Sequence, residues 1–479
     1  MPDSPLFRKV LIANRGEIAL RVLRACRDLG IPAVVAYSDV DRDSLAVRLA
    51  GEAVCVGPAL AARSYNNIPA IISAALVTGC DALHPGYGFL AENAYLADIC
   101  QQVGVTFIGP RPDVIERMGN KAEARKLMRE AGIPLVPGTE GTIENLGVAR
   151  QVARRIGYPI LIKAVAGGGG RGMRVAQDDT ELTRALPVAQ AEAEAAFGDN
   201  SVYLERYLDC PRHIEVQILA DHHGHIIAVG ERDCSLQRRH QKLLEEAPAP
   251  NLPRKTRDAL LRAAVKGARA AHYTSAGTIE FLVDRDGHFY FMEMNTRIQV
   301  EHPVTEVVTD IDLVAWQIRI AAGQRLTIDE RDCEPHGHAI ECRITAEDAA
   351  ADFAPNVGTV ETYVAPGGPG VRVDSHLYAG YTVPAHYDSL LAKIIVRGKD
   401  RAEAIARMER ALAETVITGI AQTVPFHRRL VAHDAFKRAD LHTGFVAEHM
   451  DELLPPLEPP PPPPSESRDE LVPTRSAAS

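Results

Sequence analysis

The first hundred or so residues alternate short apolar runs with stretches of helical periodicity. The run "KVLIAN" precedes a segment whose apolar positions recur every three or four residues up to Gly30, and the apolar run "PAVVAYS" follows it. The segments "DALHPG" and "VTFIGP" repeat the short apolar pattern farther along. Strands that alternate with helices predict a parallel sheet with helices on its faces. The glycine fingerprint GxGxxG is absent from this part, so no cofactor follows from it.

Beyond residue 200 the apolar runs become longer and helical patterns become fewer. We predict strands over 201–208, 212–221, 225–233, 277–284 and 288–295, a helix over 312–324, and an antiparallel β-rich segment from about 336 to 398 that a helix over 400–416 closes. The last stretch, "PPLEPPPPPPSESRDELVPTRSAAS", is typical of extended polyproline followed by disordered chain. The expected fold class is α/β with α+β character.

The segment "EMNTRIQVE", residues 293–301, alternates polar and mostly apolar positions. In an extended chain successive side chains point to opposite faces. One face would then carry Glu293, Asn295, Arg297, Gln299 and Glu301, that is two carboxylates, two amides and a guanidinium. A half-exposed strand with its polar face in water is the ordinary interpretation. The absence of Lys, Thr and Ser from that face favours a functional site instead. From the segment alone, both interpretations stay open.

The composition is that of an ordinary globular protein, with 46% hydrophobic and 24% charged residues. The formal net charge of −10 makes the chain a poor electrostatic match for a polyanionic duplex, so nucleic acid is not an expected partner. The eight cysteines are scattered, without the CxxC spacing of zinc or redox motifs. Scattered cysteines, the lack of an N-terminal signal sequence and the lack of an apolar run of membrane-spanning length predict a soluble cytoplasmic protein, with no membrane partner.

Four consecutive glycines, Gly167 to Gly170, follow a predicted strand that ends near Lys163. Glycine permits close approach of a ligand to the backbone, and the exposed N–H groups can surround a phosphate. The cations Lys163 and Arg171 make phosphate the favoured ligand, although a flexible surface hairpin remains the alternative. The Walker pattern GxxxxGK[ST] is absent, so a nucleotide would be held in another way.

Two predicted strands joined by "DRDG" each place an acid among apolar neighbours. Glu280 lies in "GTIEFLVD", and Glu293 and Asn295 end "HFYFMEMN". A hairpin that converges these oxygen ligands suits Mg²⁺, which prefers one or two carboxylates together with substrate phosphates and water. A buried ion pair with an arginine is the alternative for each acid alone.

Six segments resemble the motifs of biotin carboxylases, members of the ATP-grasp superfamily, and occur in the same order. They are "ANRGEIALR", "HPGYGFLAEN", "KAVAGGGGRGM", "RDCSLQRRHQKLLEEAPAP", "EMNTRIQVEHPVTE" and "YDSLLAKI". The resemblance covers residues 6 to 448. It implies an ATP-grasp fold divided into a Rossmann-like N-terminal domain (1–119), an ATP-grasp domain (120–335) with a glycine-rich lid over about 136–209, an antiparallel β-rich C-terminal domain (336–448), and a separate proline-rich tail (449–479).

The resemblance also implies roles for individual residues. The residues expected to bind ATP are Lys121, Lys163, Gly168, Gly169, Gly170, Glu205, Arg206, Leu208, His213, Gln237, His240, Glu280 and Glu293. The expected ligands of Mg²⁺ (or Mn²⁺) are Glu280, Glu293 and Asn295. Bicarbonate would contact Lys242, Arg297, Gln299 and the backbone of Val300, and biotin would contact Tyr87 and Arg343. The expected catalytic residues are Glu301 as general base, Lys242, Arg297 and Arg343.

The implied reaction is the ATP-dependent carboxylation of biotin by bicarbonate through carboxyphosphate. The Met-Lys-Met segment that carries biotin in this family is absent here, so biotin is expected on a separate carboxyl carrier protein. Carboxyltransferase subunits are further expected partners, and a homodimer is the expected assembly. The first half-reaction of acetyl-CoA carboxylase in fatty acid synthesis is the default role, with pyruvate or propionyl-CoA carboxylase as alternatives. Two rivals remain: another ATP-grasp carboxylate–amine ligase, and a catalytically silent nucleotide-binding scaffold.

Overall fold

The computed structural model describes residues 6–139, 141–143, 145–165 and 173–454. The predicted glycine contacts Gly168, Gly169 and Gly170 and most of the proline-rich tail lie outside these ranges. Within them, three sheets carry the architecture: a parallel sheet, a small antiparallel sheet and a long antiparallel sheet.

The N-terminal part is a five-stranded parallel sheet in the order β3-β2-β1-β4-β5. Its central strand is buried on both faces, as expected for a parallel sheet covered by helices. The predicted parallel sheet is therefore confirmed. Its elements are β1 (Val10–Ile12), α1 (Gly16–Asp28), β2 (Ala33–Ser38), α2 (Leu45–Leu49), β3 (Glu52–Gly57), α3 (Ile68–Val77), β4 (Ala82–His84), α4 (Ala94–Gln102), β5 (Thr106–Phe107) and α5 (Pro112–Gly119).

Helix α1 is buried along most of its length, including the charged residues Glu17 and Arg21. The helix ends at Asp28, and Gly30 follows at φ +68°, a left-handed conformation that glycine adopts without steric cost. Buried charges on a helix need partners from elsewhere in the fold. Arg21 finds Glu306 at 2.8 Å, so the first helix is tied to the second half of the chain.

The second unit is a three-stranded antiparallel sheet in the order β7-β6-β8. Asparagine and aspartate side chains cap its helices: Asn145 accepts a hydrogen bond from the Val148 N–H, and Asp178 accepts from Thr180 and Glu181. Its elements are α6 (Lys121–Glu130), α7 (Leu146–Ile156), β6 (Ile160–Ala164), β7 (Met173–Ala176), α8 (Asp179–Phe197) and β8 (Val202–Arg206).

The third unit is an eight-stranded sheet in the order β13-β12-β9-β10-β11-β14-β21-β19, antiparallel in all its pairings. Strand β11 pairs with β14, so the sheet runs across the predicted boundary at residue 335. Its strands are β9 (Arg212–Ala220), β10 (Ile226–Arg238), β11 (Gln241–Ala247), β12 (Ser275–Val283), β13 (Phe289–Asn295), β14 (His338–Thr345), β19 (Val371–Ser375) and β21 (Leu390–Gly398).

Helices and two-stranded ladders surround this sheet. The helices are α9 (Arg254–Ala270), α10 (His302–Thr309), α11 (Leu313–Ala321), α12 (Arg401–Glu414), α13 (Val424–Ala432), α14 (Asp434–Lys437), α15 (Phe445–Glu448) and α16 (Met450–Leu453). The ladders pair β15 (Glu347–Asp348) with β16 (Ala354–Pro355), β17 (Gly358–Thr359) with β20 (Thr382–Val383), and β18 (Tyr363–Val364) with β22 (Val416–Ile417). Helix α12 packs on β21 through the buried face of Ala404 and Met408.

The segment 293–301 is not one extended strand. Strand β13 ends at Asn295, residues 296–301 form a bend, an irregular stretch and a turn, and α10 begins at His302. The extended chain that the alternation predicts is therefore present only over residues 293–295. The polar side chains nevertheless converge, as described next.

Candidate active site

A cavity of about 1420 Å³ opens between the three sheets. Every described residue that the sequence assigns to the site lines it except Glu301, which lies fully buried behind two of them. The lining residues among those assigned are Tyr87, Lys121, Lys163, Glu205, Arg206, Leu208, His213, Gln237, His240, Lys242, Glu280, Glu293, Asn295, Arg297, Gln299, Val300 and Arg343.

One end of the cavity belongs to the small antiparallel sheet. Lys163 on β6 donates a hydrogen bond of 3.1 Å to the buried carboxylate of Glu205 on β8, which Arg125 of α6 also contacts. Burial alone would lower the pKa of Lys163, but the charge of Glu205 raises it above its ordinary value. The lysine is therefore a fixed cation that faces the cavity.

Glu280 and Glu293 face each other across the β12–β13 pair. Asn295 donates a hydrogen bond of 3.0 Å to Glu280 Oε1, and His213 Nε2 lies 2.9 Å from Glu280 Oε2. Gln237 in turn lies 2.7 Å from His213 Nδ1. Burial, together with the charge of Glu280, raises the pKa of Glu293. Two facing carboxylates of this kind repel each other, and a divalent cation between them would remove the repulsion. The residues present therefore fit the predicted Mg²⁺ site.

Lys242 on β11 lies at the centre of the site, surrounded by three carboxylates. Its ammonium group donates to Glu215 at 2.7 Å, to Glu280 at 2.9 Å and to Glu301 at 2.6 Å. Burial would lower the pKa of Lys242, but these three charges hold it well above its usual range. The lysine thus links the metal end of the cavity to the buried Glu301.

Glu301 precedes α10 and is fully buried. Arg343 on β14 donates to its second oxygen at 2.9 Å, while Lys242 holds the first. Burial opposes the charged form, but Lys242, Arg343 and the buried Arg232 keep the pKa of Glu301 well below its ordinary value. In this arrangement Glu301 is a carboxylate held between two cations.

Arg343 is itself positioned by Glu245, which accepts from Nε at 2.6 Å. Burial, together with repulsion from Glu301, raises the pKa of Glu245 to about 7 in spite of the attraction of Arg343. Arg343 therefore bridges two buried carboxylates and presents its edge to the cavity.

Arg297 forms hydrogen bonds with polar side chains at the end of β13, in the segment that follows it, and in the N-terminal domain. It donates to Gln299 Oε1 at 2.8 Å, to Asn295 Oδ1 at 3.1 Å and, through Nε, to Glu92 at 3.0 Å. Three of the odd-numbered side chains, those of Asn295, Arg297 and Gln299, are thus brought together by hydrogen bonds across a turn and not by the pleat of a strand.

Tyr87, the predicted biotin contact, reaches the cavity from the N-terminal domain, and its hydroxyl contacts the buried Glu17. Glu17 lies 3.1 Å from the ammonium group of Lys393, a fully buried residue of β21. Glu17, Lys393, Glu215 and Glu245 have no role predicted from the sequence. The signal that could have found Glu215, Glu245 and Lys393 is a charged residue inside an otherwise apolar strand, whereas Glu17 lies in α1 and gives no such signal.

Three family models match successive parts of the chain. The family model for the biotin carboxylase N-terminal domain matches residues 6–115, that for the carbamoyl-phosphate synthase L chain ATP-binding domain matches 120–329, and that for the biotin carboxylase C-terminal domain matches 341–448. The chain belongs to the biotin carboxylase family. The predicted family, the ATP-grasp fold and the class of enzyme are confirmed.

Relatives within the biotin carboxylase family cover nearly the whole chain. The biotin carboxylase of Nostoc sp. is 55% identical over 92% of this chain and 99% of its own length. A pyruvate carboxylase subunit of Methanothermobacter thermautotrophicus is 52% identical over 93% of this chain and 90% of its own.

Among solved structures, the biotin carboxylase domain dimer of Hydrogenobacter thermophilus 2-oxoglutarate carboxylase has a TM-score of 0.88 at 46% identity, covering 94% of this chain and 99% of that one. It was solved with MgADP, ADP and bicarbonate. ATP and Mg²⁺ are thereby confirmed as the cofactors of this family, with bicarbonate as a ligand.

No helix in the described part of the chain is both long and apolar enough to cross a membrane.

Proposed function

We propose that this protein carboxylates biotin with bicarbonate at the expense of ATP. The observation that carries the proposal is the pair of cations, Lys242 and Arg343, that hold the buried Glu301 beside the facing carboxylates Glu280 and Glu293. A site for a metal-bound nucleotide and a site for an oxyanion would then lie in one cavity. The cations suit bicarbonate, and the carboxylate between them suits a base.

ATP would be bound by the cations Lys121 and Lys163 at its phosphates, with Glu205, Arg206 and Leu208 beside the adenine and with His213, Gln237 and His240 beside the ribose and phosphates. Glu280, Glu293 and Asn295 would hold Mg²⁺, which neutralises phosphate charge during transfer. Gly168, Gly169 and Gly170 stay predicted phosphate contacts.

Bicarbonate would share the charge of Lys242 and Arg343 with Glu301, which stays beside it. Lys242, Arg297, Gln299 and the Val300 backbone would surround it, and the planar fork of Arg297 suits a small oxyanion. An anion that shares the charge of Lys242 and Arg343 weakens their hold on Glu301, so the affinity of Glu301 for a proton rises. Glu301 can then take the bicarbonate proton as an oxygen attacks the γ-phosphorus and the bond to ADP breaks.

The carboxyphosphate formed in this step would break down to CO₂ and phosphate. The phosphate can remove the biotin N–H proton, and the biotin nitrogen then attacks CO₂. Arg343 would stabilise the negative charge that develops on the biotin oxygen, and Tyr87 would border the same part of the cavity. Arg343 suits this role because it lies at the cavity surface and already balances two carboxylates.

The carboxyl acceptor that we propose is acetyl-CoA, reached through a biotin carboxyl carrier protein and carboxyltransferase subunits. The similarity to the Methanothermobacter pyruvate carboxylase chain supports pyruvate as the second candidate. A cytoplasmic location remains a prediction. Purified chain mixed with each candidate carrier and carboxyltransferase distinguishes the acceptors, because only the matched set transfers label from bicarbonate to its acceptor.

A homodimer is the assembly that we propose, since the Hydrogenobacter relative is described as a dimer. A surface depression whose lining includes Arg24 and Arg372 offers charged groups for such a contact. Sedimentation equilibrium of the whole chain, with Arg24→Glu as the disrupting variant, tests it. A monomeric wild-type chain at micromolar concentration would contradict the dimer.

The activity itself is tested by ADP release from MgATP and bicarbonate, with and without free biotin. Stimulation by biotin, together with label from bicarbonate in carboxybiotin, is the expected result. Turnover that ignores both bicarbonate and biotin would indicate an amine ligase, and no turnover would indicate a silent scaffold.

A further inference from the structure

A cluster of metal-binding side chains lies outside the catalytic residues, where the loop between β8 and β9 meets the C-terminal helices. Its members are Cys210, His442 and Glu448, and one ligand atom from each lies within 4.8 Å of the others. The Cys210 Sγ lies 3.4 Å from Glu448 Oε1, and His442 Nε2 lies 3.5 Å from Glu448 Oε2. The Thr443 N–H donates to the Pro211 carbonyl at 3.0 Å and fixes the two segments together.

We propose that Cys210, His442 and Glu448 form a binding site for Zn²⁺ or a cation of similar softness. Zinc bonds of about 2.3 Å to sulfur and roughly 2.0–2.2 Å to nitrogen and oxygen place tetrahedral ligands about 3.5 Å apart. The Cys210–Glu448 and His442–Glu448 separations are close to that spacing, each measured to a different oxygen of Glu448, and all three ligand atoms lie within 4.8 Å of one another. A thiolate and an imidazole also select against Mg²⁺, which takes oxygen ligands. Three protein ligands leave a fourth position for water.

The surroundings of the His442 imidazole are compatible with metal binding through Nε2. A neutral histidine that binds metal through Nε2 must carry its proton on Nδ1. His442 Nδ1 has no hydrogen-bond partner among the described residues, so the structure fixes neither tautomer, and the one with Nε2 open to a cation is allowed. His433, which forms a similar cluster with His449 and Glu452, differs. Its Nδ1 accepts the Ala435 N–H at 3.2 Å, which places the proton on Nε2 and removes the lone pair that a metal would need.

The acidic groups around Cys210 have a different effect on its thiol when a cation is bound. Burial raises the pKa of the Cys210 thiol to about 11, and Glu448 and Asp209 add to the shift, so the thiol alone stays protonated. A bound divalent cation reverses this effect, because it stabilises the thiolate and is stabilised by the same carboxylates. The proton of the thiol would then leave to solvent as the sulfur–metal bond forms.

The position of the cluster indicates what occupancy would do. Cys210, Thr443, Gly444 and Glu448 line the rim of the main cavity, and the loop that carries Cys210 follows directly after the Glu205–Leu208 segment. A cation here would clamp that segment to α15.

Cobalt(II) is the probe that tests the site, because its bond to thiolate gives a charge-transfer absorption that oxygen ligands do not. The full-length chain, freed of metal by chelation and kept in excess Mg²⁺ to fill the carboxylate site, is titrated with Co²⁺. One equivalent with thiolate charge transfer is expected, displaced by Zn²⁺. Cys210→Ser should abolish the band, and His442→Asn should weaken Co²⁺ binding by more than the ~10–100-fold that loss of an outer partner costs.

Two matched variants serve as controls. Cys55→Ser removes another thiol that is exposed, and His433→Asn alters the neighbouring histidine cluster, so both should leave the band unchanged. A band that survives Cys210→Ser, or wild-type protein that shows no thiolate band at all, overturns the proposal. Because the measurement follows metal binding and not turnover, its result does not depend on the proposed carboxylase activity.

Discussion

The buried ammonium group of Lys393 donates a hydrogen bond of 2.8 Å to the backbone carbonyl of Val300. The same lysine lies 3.1 Å from Glu17 of α1, whose carboxylate contacts Tyr87. A residue of the C-terminal domain thus fixes both the turn that carries Arg297 and Glu301 and the side chain proposed to border biotin. The turn that carries Arg297 and Glu301 is therefore fixed by Lys393, which does not line the cavity.

Replacement of this lysine tests its positioning role. Lys393→Met leaves Glu17 buried without its cation and the Val300 carbonyl without its donor, a change that costs about 3–5 kcal/mol in stability. Beyond that loss, the KM for bicarbonate should rise more than the KM for ATP, since the turn and not the nucleotide site loses its support. Steady-state kinetics of folded enzyme measure both. Lys399→Met, an exposed lysine just beyond β21, is the matched control and should change neither constant. Equal changes in both constants would reduce Lys393 to a structural role.

Substitution of the buried carboxylate tests the proposed general base. Glu301→Gln should lower bicarbonate-dependent ADP release by roughly 10²–10⁴-fold, the usual contribution of such a base. The dissociation constant for MgATP should stay nearly constant, because Glu301 lies beyond Lys242 from the metal ligands. Equilibrium dialysis against labelled nucleotide provides that comparison, with the exposed Glu330→Gln as control. Wild-type turnover in Glu301→Gln would remove Glu301 from the base role.

Arg343 separates the biotin step from the ATP step. Arg343→Ala should reduce carboxylation of biotin more than it reduces ADP release in the absence of biotin, since the charge that Arg343 would stabilise develops on biotin. Arg343→Lys keeps the charge but loses the bridge between Glu245 and Glu301, and it should show an intermediate defect. Parallel assays of labelled carboxybiotin and ADP give the ratio. If both activities fell by the same factor in each variant, Arg343 would be structural.

Glu293 is tested through the metal requirement. Glu293→Gln removes one of the two facing carboxylates and should raise the Mg²⁺ concentration for half-maximal ADP release by about tenfold or more, since Mg²⁺ relies on few carboxylates. The control is Asp286→Asn on the exposed turn of the same hairpin. An unchanged Mg²⁺ dependence in Glu293→Gln would exclude that residue as a ligand.

The raised pKa of Glu245, about 7, predicts a dependence of stability on pH. Between its ordinary value near 4.5 and 7 the folded protein binds a proton that the unfolded chain has released, so the free energy of unfolding falls as pH rises through this window. The stability is fully present below that window and lost above it. Urea unfolding at a series of pH values should show a shallower decline for Glu245→Gln than for wild type. Identical slopes would mean that Glu245 does not titrate there.

The sequence alone predicted the parallel N-terminal sheet and the antiparallel β-rich segment from about residue 336 to 398, because the spacing of short apolar runs and helical periods is a local property. It also indicated the facing pair of Glu280 and Glu293, since two acids in strands joined by a short turn become cross-strand neighbours whatever surrounds them. The prediction that residues 293–301 form one extended strand was wrong, because the strand ends at Asn295. Arg297 forms hydrogen bonds with Asn295 and Gln299 across a turn, and no local pattern in the sequence predicts that turn.

Only the tertiary structure decided which charges meet. Lys242 contacts Glu215, Glu280 and Glu301, which are far apart in the chain, and Lys393 joins α1 to the active-site turn. Within the sequence such residues are isolated charges in apolar strands, and each has many candidate partners of opposite sign. A buried charge is tolerated where the fold supplies its counterion, and the fold selects that counterion through long-range pairing of strands. The sequence therefore determined the elements and the inventory of chemical groups, whereas the packing of the sheets determined the network that turns those groups into a site.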